Sequence, residues 1–153
     1  MVEVNTRVFG KIAVEDDKII RFESGILGFP DLKDFTLIYN LDKGNDAGIK
    51  WLQSIQEPGF ALPVMNPELV MPGYEPKFPQ ELLAPLGEDL DNEEILMLVT
   101  VTVPKDITIT TGNLRAPIII NANTCKAVQL INDDENYSIK HAIYDSLMAT
   151  QHA

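Results

Sequence analysis

The chain has 153 residues, 45% of them hydrophobic and 23% charged, a size and balance that fit one globular domain over 1–153 and exclude a disordered or fibrous polymer. Twelve Lys and Arg stand against 23 Asp and Glu, giving a formal net charge of −11. That charge argues against direct binding of nucleic acid, where cations must neutralise phosphates, and it suits either a basic protein partner or simple solubility.

The opening Met1-Val2-Glu3-Val4-Asn5-Thr6-Arg7 has no apolar signal run. The longest apolar stretch, Ile95-Leu96-Met97-Leu98-Val99, falls far short of the roughly 20 residues that span a bilayer as a helix. The expectation is a cytoplasmic protein that does not enter the membrane.

Taken in chain order, the elements are almost all strands. Residues 4–9, 11–15 and 18–22 alternate apolar and polar side chains, and Asp16-Asp17 supplies a turn between the last two, so a meander of antiparallel hairpins is predicted. Beyond Gly25-Ile26-Leu27-Gly28-Phe29-Pro30, residues 35–41 and 49–56 form another hairpin across the glycine-bearing segment 42–48. Further strands are predicted at 60–65, 95–103, 107–111, 115–121 and 126–131. Helix is confined to one or two turns over 79–84, with Pro79 at the start and Gly87 near the end. The tail from 137 fits either a final strand, 137–144, or a helix carrying Ile139, Ala142, Ile143, Ser146 and Leu147 on one face. Short strands with closely spaced turns define an all-β fold, either sandwich or barrel. Between the predicted strands, residues 66–94 hold Pro67, Pro72, Pro76, Pro79 and Pro85, and a long ordered loop of this kind is the first place to seek a binding surface.

Candidate chemistry is sparse. Cys125 is the only cysteine, lies in an apparent strand, and reads as a small packed side chain. His141 has no His or Cys at ligand spacing, and His152 lies at the carboxyl end. Asp89, Asp91 and Glu93 imitate the first ligands of a calcium loop, but Glu94 occupies the position that needs Gly and Thr100 the position that needs a bidentate Glu. They read as a solvated acidic loop. No phosphate-binding glycine spacing and no Gly-x-Ser-x-Gly elbow occurs. The sequence nominates no catalytic residue, no metal ligand and no cofactor, and the expectation is a binding protein and not an enzyme.

What stands out is a series of ordered phrases. Phe9-Gly10-Lys11-Ile12, Ile19-Ile20-Arg21-Phe22 and Gly25-Ile26-Leu27-Gly28-Phe29 are followed by Trp51-Leu52-Gln53-Ser54 and Asn66-Pro67. Val101-Thr102-Val103-Pro104, the run from Thr111-Gly112-Asn113-Leu114-Arg115 through Ala116-Pro117-Ile118-Ile119-Ile120-Asn121, and Gln129-Leu130-Ile131 before Tyr137 complete the series. Together they resemble the FliW family of flagellar assembly factors over almost the whole chain. The resemblance implies a small antiparallel β-barrel-like domain with one short helix and no cofactor. It also implies a cytoplasmic regulator, monomeric when free, that binds and antagonises the RNA-binding translational regulator CsrA and also binds flagellin, coupling flagellin translation to export. The alternative is a flagellin chaperone with an indirect effect on translation. Two departures from the family pattern are Gly73, where relatives tend to carry Asp, and Ala61-Leu62-Pro63-Val64, which replaces a strand containing an aromatic residue.

Structural roles are expected for several of these phrases. Trp51 and Phe22 read as core, and Asn113 and Asn121 as turn-closing side chains. For direct contact with a basic partner the expected residues are Glu68, Tyr74 and Glu75 on the proline-rich loop.

Overall fold

A computed structural model describes residues 2–7, 9–38, 49–87, 94–134 and 136–144. The first two strands, β1 (Val2–Thr6) and β2 (Gly10–Val14), pair antiparallel as a separate hairpin, with Val4 opposite Ile12. The remaining strands are β3 (Ile20–Phe22), β4 (Asp34–Ile38), β5 (Lys50–Ser54), β6 (Ala61–Met65), β7 (Ile95–Thr102), β8 (Thr111–Gly112), β9 (Ile118–Asn121), β10 (Lys126–Gln129) and β11 (His141–Ala142). Their order runs β11-β8-β7-β6-β5-β4-β3-β10-β9, and a further pairing of β9 with β7 closes seven of them into a barrel. The fold is all-β as expected, and the one α-helix whose bounds lie among the described residues is the short α1 (Gln80–Leu83).

The antiparallel expectation holds for every seam of the ring but one. β10 runs parallel to β3, with Lys126 opposite Arg21 and Ala127 opposite Phe22. The reason is parity: directions cannot alternate all the way round an odd number of strands, so a closed ring of seven must contain a parallel pair.

Three expectations of local structure are corrected. Asp16–Lys18 is not a hairpin turn but a 3₁₀ turn that carries the chain from the β1–β2 hairpin into the barrel, and β2 does not pair with β3. Residues 107–111 are not a strand throughout. The Asp106 side chain accepts from the Thr108 amide at 3.1 Å and nucleates a 3₁₀ turn over Ile107–Ile109, leaving only Thr111 and Gly112 in a ladder. Donation by the Thr108 hydroxyl, then by its amide, holds the Asp106 carboxyl below the usual range. Cys125 lies in the turn before β10 with φ of 58°, and its half-buried Sγ lies 3.2 Å from the Asp17 carbonyl oxygen, to which it donates. At the carboxyl end only His141 and Ala142 of the strand alternative join a ladder, as β11, and Ser146 and Leu147 of the helix alternative fall in residues 145–153, which, like the acidic positions 88–93 and the turn 42–48, lie outside the described residues.

Period-two alternation in a closed barrel sends one set of side chains inward and the other onto the outer wall. The inner set, Phe22, Phe35, Leu52, Val64, Leu98, Ile118 and Ile120, forms the main core, with Phe22 and Phe35 edge to face at 5.4 Å. On the outer wall Met65, Val99, Val101, Leu114 and Ile143 make a second cluster, and Leu86, Ile119 and Val128 a third. Trp51 is corrected from core to outer wall: it is half-buried and meets Phe9 of the hairpin edge to face at 6.0 Å. Its neighbour Gln53 is fully buried, and its side-chain nitrogen reaches the carbonyl oxygens of Ser54, Pro58 and Phe60, fastening the β5–β6 connection.

The Gly25 and Gly28 phrase acquires a steric reason. Both have positive φ, 68° and 85°, but a Cβ on Gly25 would lie 2.4 Å from the Pro30 carbonyl oxygen, whereas a Cβ on Gly28 meets nothing within 4 Å. We therefore expect Gly28→Ala to lower unfolding stability by about 1 kcal/mol, the cost of a left-handed alanine. Gly25→Ala should cost clearly more, about 2–4 kcal/mol, because backbone must move as well. Denaturant titration of the two variants checks the order, and equal losses would refute the steric account.

Candidate functional site

The segment that follows β6 leaves the barrel wall and is fixed by its own sequence. Asn66 caps a 3₁₀ turn over Pro67–Leu69, its side chain accepting from the Glu68 amide at 3.0 Å, with Pro67 preset for the first helical position. A tight turn follows in which the Tyr74 amide donates to the Met71 carbonyl at 3.0 Å. Gly73 has φ of 82° in this turn, a left-handed conformation that Gly adopts without strain.

Tyr74 anchors the loop. Only 6% of it is exposed, its ring stands edge to face with Tyr137 at 4.8 Å, and its hydroxyl donates to the Leu114 carbonyl. Three more bonds fasten the same stretch: the Glu75 amide donates to the Tyr137 hydroxyl at 3.3 Å, Arg115 Nε to the Tyr137 carbonyl at 2.9 Å, and Asn132 Nδ2 to the Lys77 carbonyl at 2.9 Å. Burial, then the neighbouring Tyr137, pushes the Tyr74 phenol well above the ordinary tyrosine range. In this arrangement Tyr74 sets the loop's shape from beneath and does not present its ring to solvent.

The two carboxylates are at the surface, and they differ. Glu75 is exposed and paired with Lys77 Nζ at 2.8 Å; the Lys77 hydrogen bond, then its charge, holds the Glu75 carboxyl below its usual range and raises the lysine in return. Glu68 is exposed and makes no ion pair among the described residues. Of the three expected contact residues, then, the structure brings Glu68 and Glu75 to one surface segment and places Tyr74 below it.

The asparagines of the Asn113 to Asn121 phrase act as the sequence suggests. Asn113 Oδ1 accepts from the amides of Arg115 and Ala116 at 3.1 and 3.2 Å, closing the turn that presents Leu114 to Tyr74. Asn121 Oδ1 accepts from the amides of Asn123 and Thr124 at 3.0 and 3.4 Å, and its Nδ2 donates to the Leu86 carbonyl at 2.7 Å, tying the far end of the loop to β9. Sequence reasoning missed Tyr137, Arg115, Asn132 and Lys77 as supports of the loop. Only Lys77, two residues from Glu75, left a local signal. Among the described residues no three His, Cys, Asp or Glu side chains converge on a possible metal position, and no helix is long and apolar enough to cross a membrane.

Fold and surface together define a small β-barrel protein that carries a rigidly fastened, proline-rich, acidic loop on its outer wall. Comparison with known proteins assigns the family. Residues 3–143 match the family described as FliW protein. The flagellar assembly factor FliW of Lachnospira eligens is 47% identical over 146 residues, covering 95% of this chain and 97% of the relative. That of Lachnoclostridium phytofermentans is 41% identical over 142 residues, covering 93% and 90%. A crystal structure of the flagellar assembly factor FliW superposes with a TM-score of 0.79 at 31% identity, covering 92% of this chain and 96% of that one. The chain belongs to the FliW family.

Removing the Tyr74 hydroxyl tests the anchor. Tyr74→Phe keeps the ring but leaves the buried Leu114 carbonyl without this donor, and a loss of about 1–3 kcal/mol in unfolding stability is expected. A raised folded pKa means the phenol's contribution is intact below about pH 10, the unfolded value, and declines as pH climbs past it, because the unfolded chain then ionises more readily. Stability measured from pH 7 to 11 should therefore fall less steeply above pH 10 in Tyr74→Phe than in the parent; equal slopes would contradict the assignment.

Proposed function

We propose that this chain is a cytoplasmic flagellar assembly factor that acts by holding other proteins. In this reading it binds and antagonises a CsrA-like RNA-binding translational regulator, and it binds flagellin, so that unexported flagellin displaces the regulator and shuts down its own translation. The observation that carries the proposal is the FliW match over residues 3–143, shared with relatives named as flagellar assembly factors. A net charge of −11 favours a basic partner such as an RNA-binding protein. No catalysis is assigned: among its described residues the loop offers surface carboxylates and a buried tyrosine, without a nucleophile and base in hydrogen-bond reach of each other.

On the loop, Glu68 and Glu75 are the proposed contacts and Tyr74 the residue that positions them. Their ion pairing predicts unequal effects. Lys77 already offsets the Glu75 charge, so Glu75→Gln together with Lys77→Gln, which removes the pair without altering the local charge, should change affinity for the basic regulator little. Glu68→Gln should weaken it several-fold at low salt, with the difference shrinking as ionic strength rises. Titration calorimetry at two salt concentrations reads this, and an effect of the Glu75→Gln, Lys77→Gln pair equal to or larger than that of Glu68→Gln would remove Glu68 as the principal contact.

Partner switching is tested by competition. A specific interface buries about 800 Å² on each side, a large share of a domain this small, which favours overlapping sites. The apparent dissociation constant for the regulator should rise in proportion to free flagellin without reaching a plateau. A plateau would indicate coupling between separate sites. A stable complex of all three proteins, with regulator affinity unchanged by saturating flagellin, would overturn the switch in favour of a flagellin chaperone.

A further inference from the structure

One end of the barrel, where β4 ends and β7 begins, carries a cavity. It measures about 520 Å³, within the size range of binding pockets, and among the described residues none of its lining belongs to the proline-rich loop. Ile20, Leu37, Leu96 and Ile120, all belonging to or packed on the interior core, form its floor, and Ile12 and Val14 of β2 form its outer wall. The exposed Glu15, Asp17 and Lys18 stand at its rim, and Cys125 lines it from the turn before β10.

A second observation concerns the wall. β2 has β1 on one side and, among the described residues, no strand on the other. Its residues alternate, with Lys11 and Ala13 exposed and Ile12 and Val14 turned toward cover, so a strand added along this edge continues the same alternation and sends every second side chain toward the cavity. Charge then selects the occupant. Lys11 is taken up by Glu3 at 3.1 Å, whereas Glu15, Asp17 and Lys18 make no ion pair among the described residues, so these three rim groups carry one negative charge in excess.

From these features we propose that the barrel mouth is a docking site for an extended peptide segment that adds to β2, inserts alternate aliphatic side chains into the cavity, and carries basic residues that meet Glu15 and Asp17. Backbone pairing supplies affinity in such strand addition, and the cavity supplies selectivity for branched aliphatic side chains. The site is separate from the Glu68 and Glu75 surface, and the proposal stands whether or not that surface binds a regulator.

Cys125, the only cysteine, reports occupancy directly. The test measures the rate of Cys125 alkylation by iodoacetamide, and hydrogen exchange of the β2 amides, in the intact protein with a short peptide alternating valine and lysine. Saturable slowing of alkylation together with slower exchange in β2 is expected. Ala122→Trp, an exposed lining position, should abolish both effects by filling the mouth. Charge reversal by Glu15→Lys with Asp17→Lys should weaken the lysine peptide roughly tenfold, the scale of two exposed charge pairs, and should restore binding of a valine–glutamate peptide. Unchanged alkylation and exchange with the lysine peptide would overturn the proposal. So would equal binding of the glutamate peptide by the parent. If decanol slows alkylation while no peptide protects β2, the cavity is a small-molecule site and the peptide assignment is wrong.

Discussion

A closed ring of seven strands cannot alternate in direction all the way round, and the placement of its one parallel seam organises the rest of this molecule. The seam joins β3 to β10, so the edge of an early strand is completed by a segment more than 100 residues later in the chain. On the far side of the ring β7 does three tasks in eight residues: Ile95 to Leu98 pair with β9, Val99 and Thr100 with β6, and Val101 and Thr102 with β8. β7 thus closes the barrel and also carries β8, to which β11 is paired. The segment from Asn66 to Leu86 folds back over the outer wall and supplies the apolar cover that Val99, Ile119 and Val128 need. The candidate binding loop is thus also a packing element.

That dual role explains why so much of the loop is buried. Tyr74, Pro76 and Leu86 point into the protein, which leaves Glu68, Glu75 and their neighbours to face outward in a fixed arrangement. A loop held in one shape loses little conformational freedom when a partner binds, and each ordered side chain that need not be immobilised favours the complex. Tyrosine at a hot spot and tyrosine as an anchor have the same sequence signal; the Leu114 carbonyl distinguishes them, and it lies 40 residues away.

The same distinction separates what was legible in the sequence from what was not. Alternation revealed nearly every strand, because an inner core and a solvated outer face leave period-two patterns in local sequence. It failed where local chemistry outcompeted a ladder: Asp106 draws residues 107–109 into a 3₁₀ turn although Ile107 and Ile109 alternate as strand residues do. Alternation also carried no information about pairing partners. Residues 11–15 and 18–22 look like a hairpin across Asp16-Asp17, yet β2 belongs to the outer hairpin and β3 to the barrel, a separation decided by long-range closure. Trp51 was misplaced for a related reason, since a barrel wall covered by a hairpin offers aromatic side chains a half-buried site outside the main core. Of the loop, the prolines, Asn66 and the carboxylates were readable locally; the fastening by Tyr137, Arg115 and Asn132 depends on contacts across the fold.

The late arrival of β10 also has a consequence in time. As the chain leaves the ribosome, β3 through β7 are available as an open sheet, but the ring stays incomplete until β10 has emerged, more than 100 residues after β3. Until then the outward edge of β3 is unpaired and the ring beside the interior residues Phe22, Phe35 and Leu52 is open at that seam. Non-local pairing of this kind is slow to form, because the loop must close before its contacts reward it. A partner that recognises the closed barrel therefore ignores nascent chains that stop short of β10.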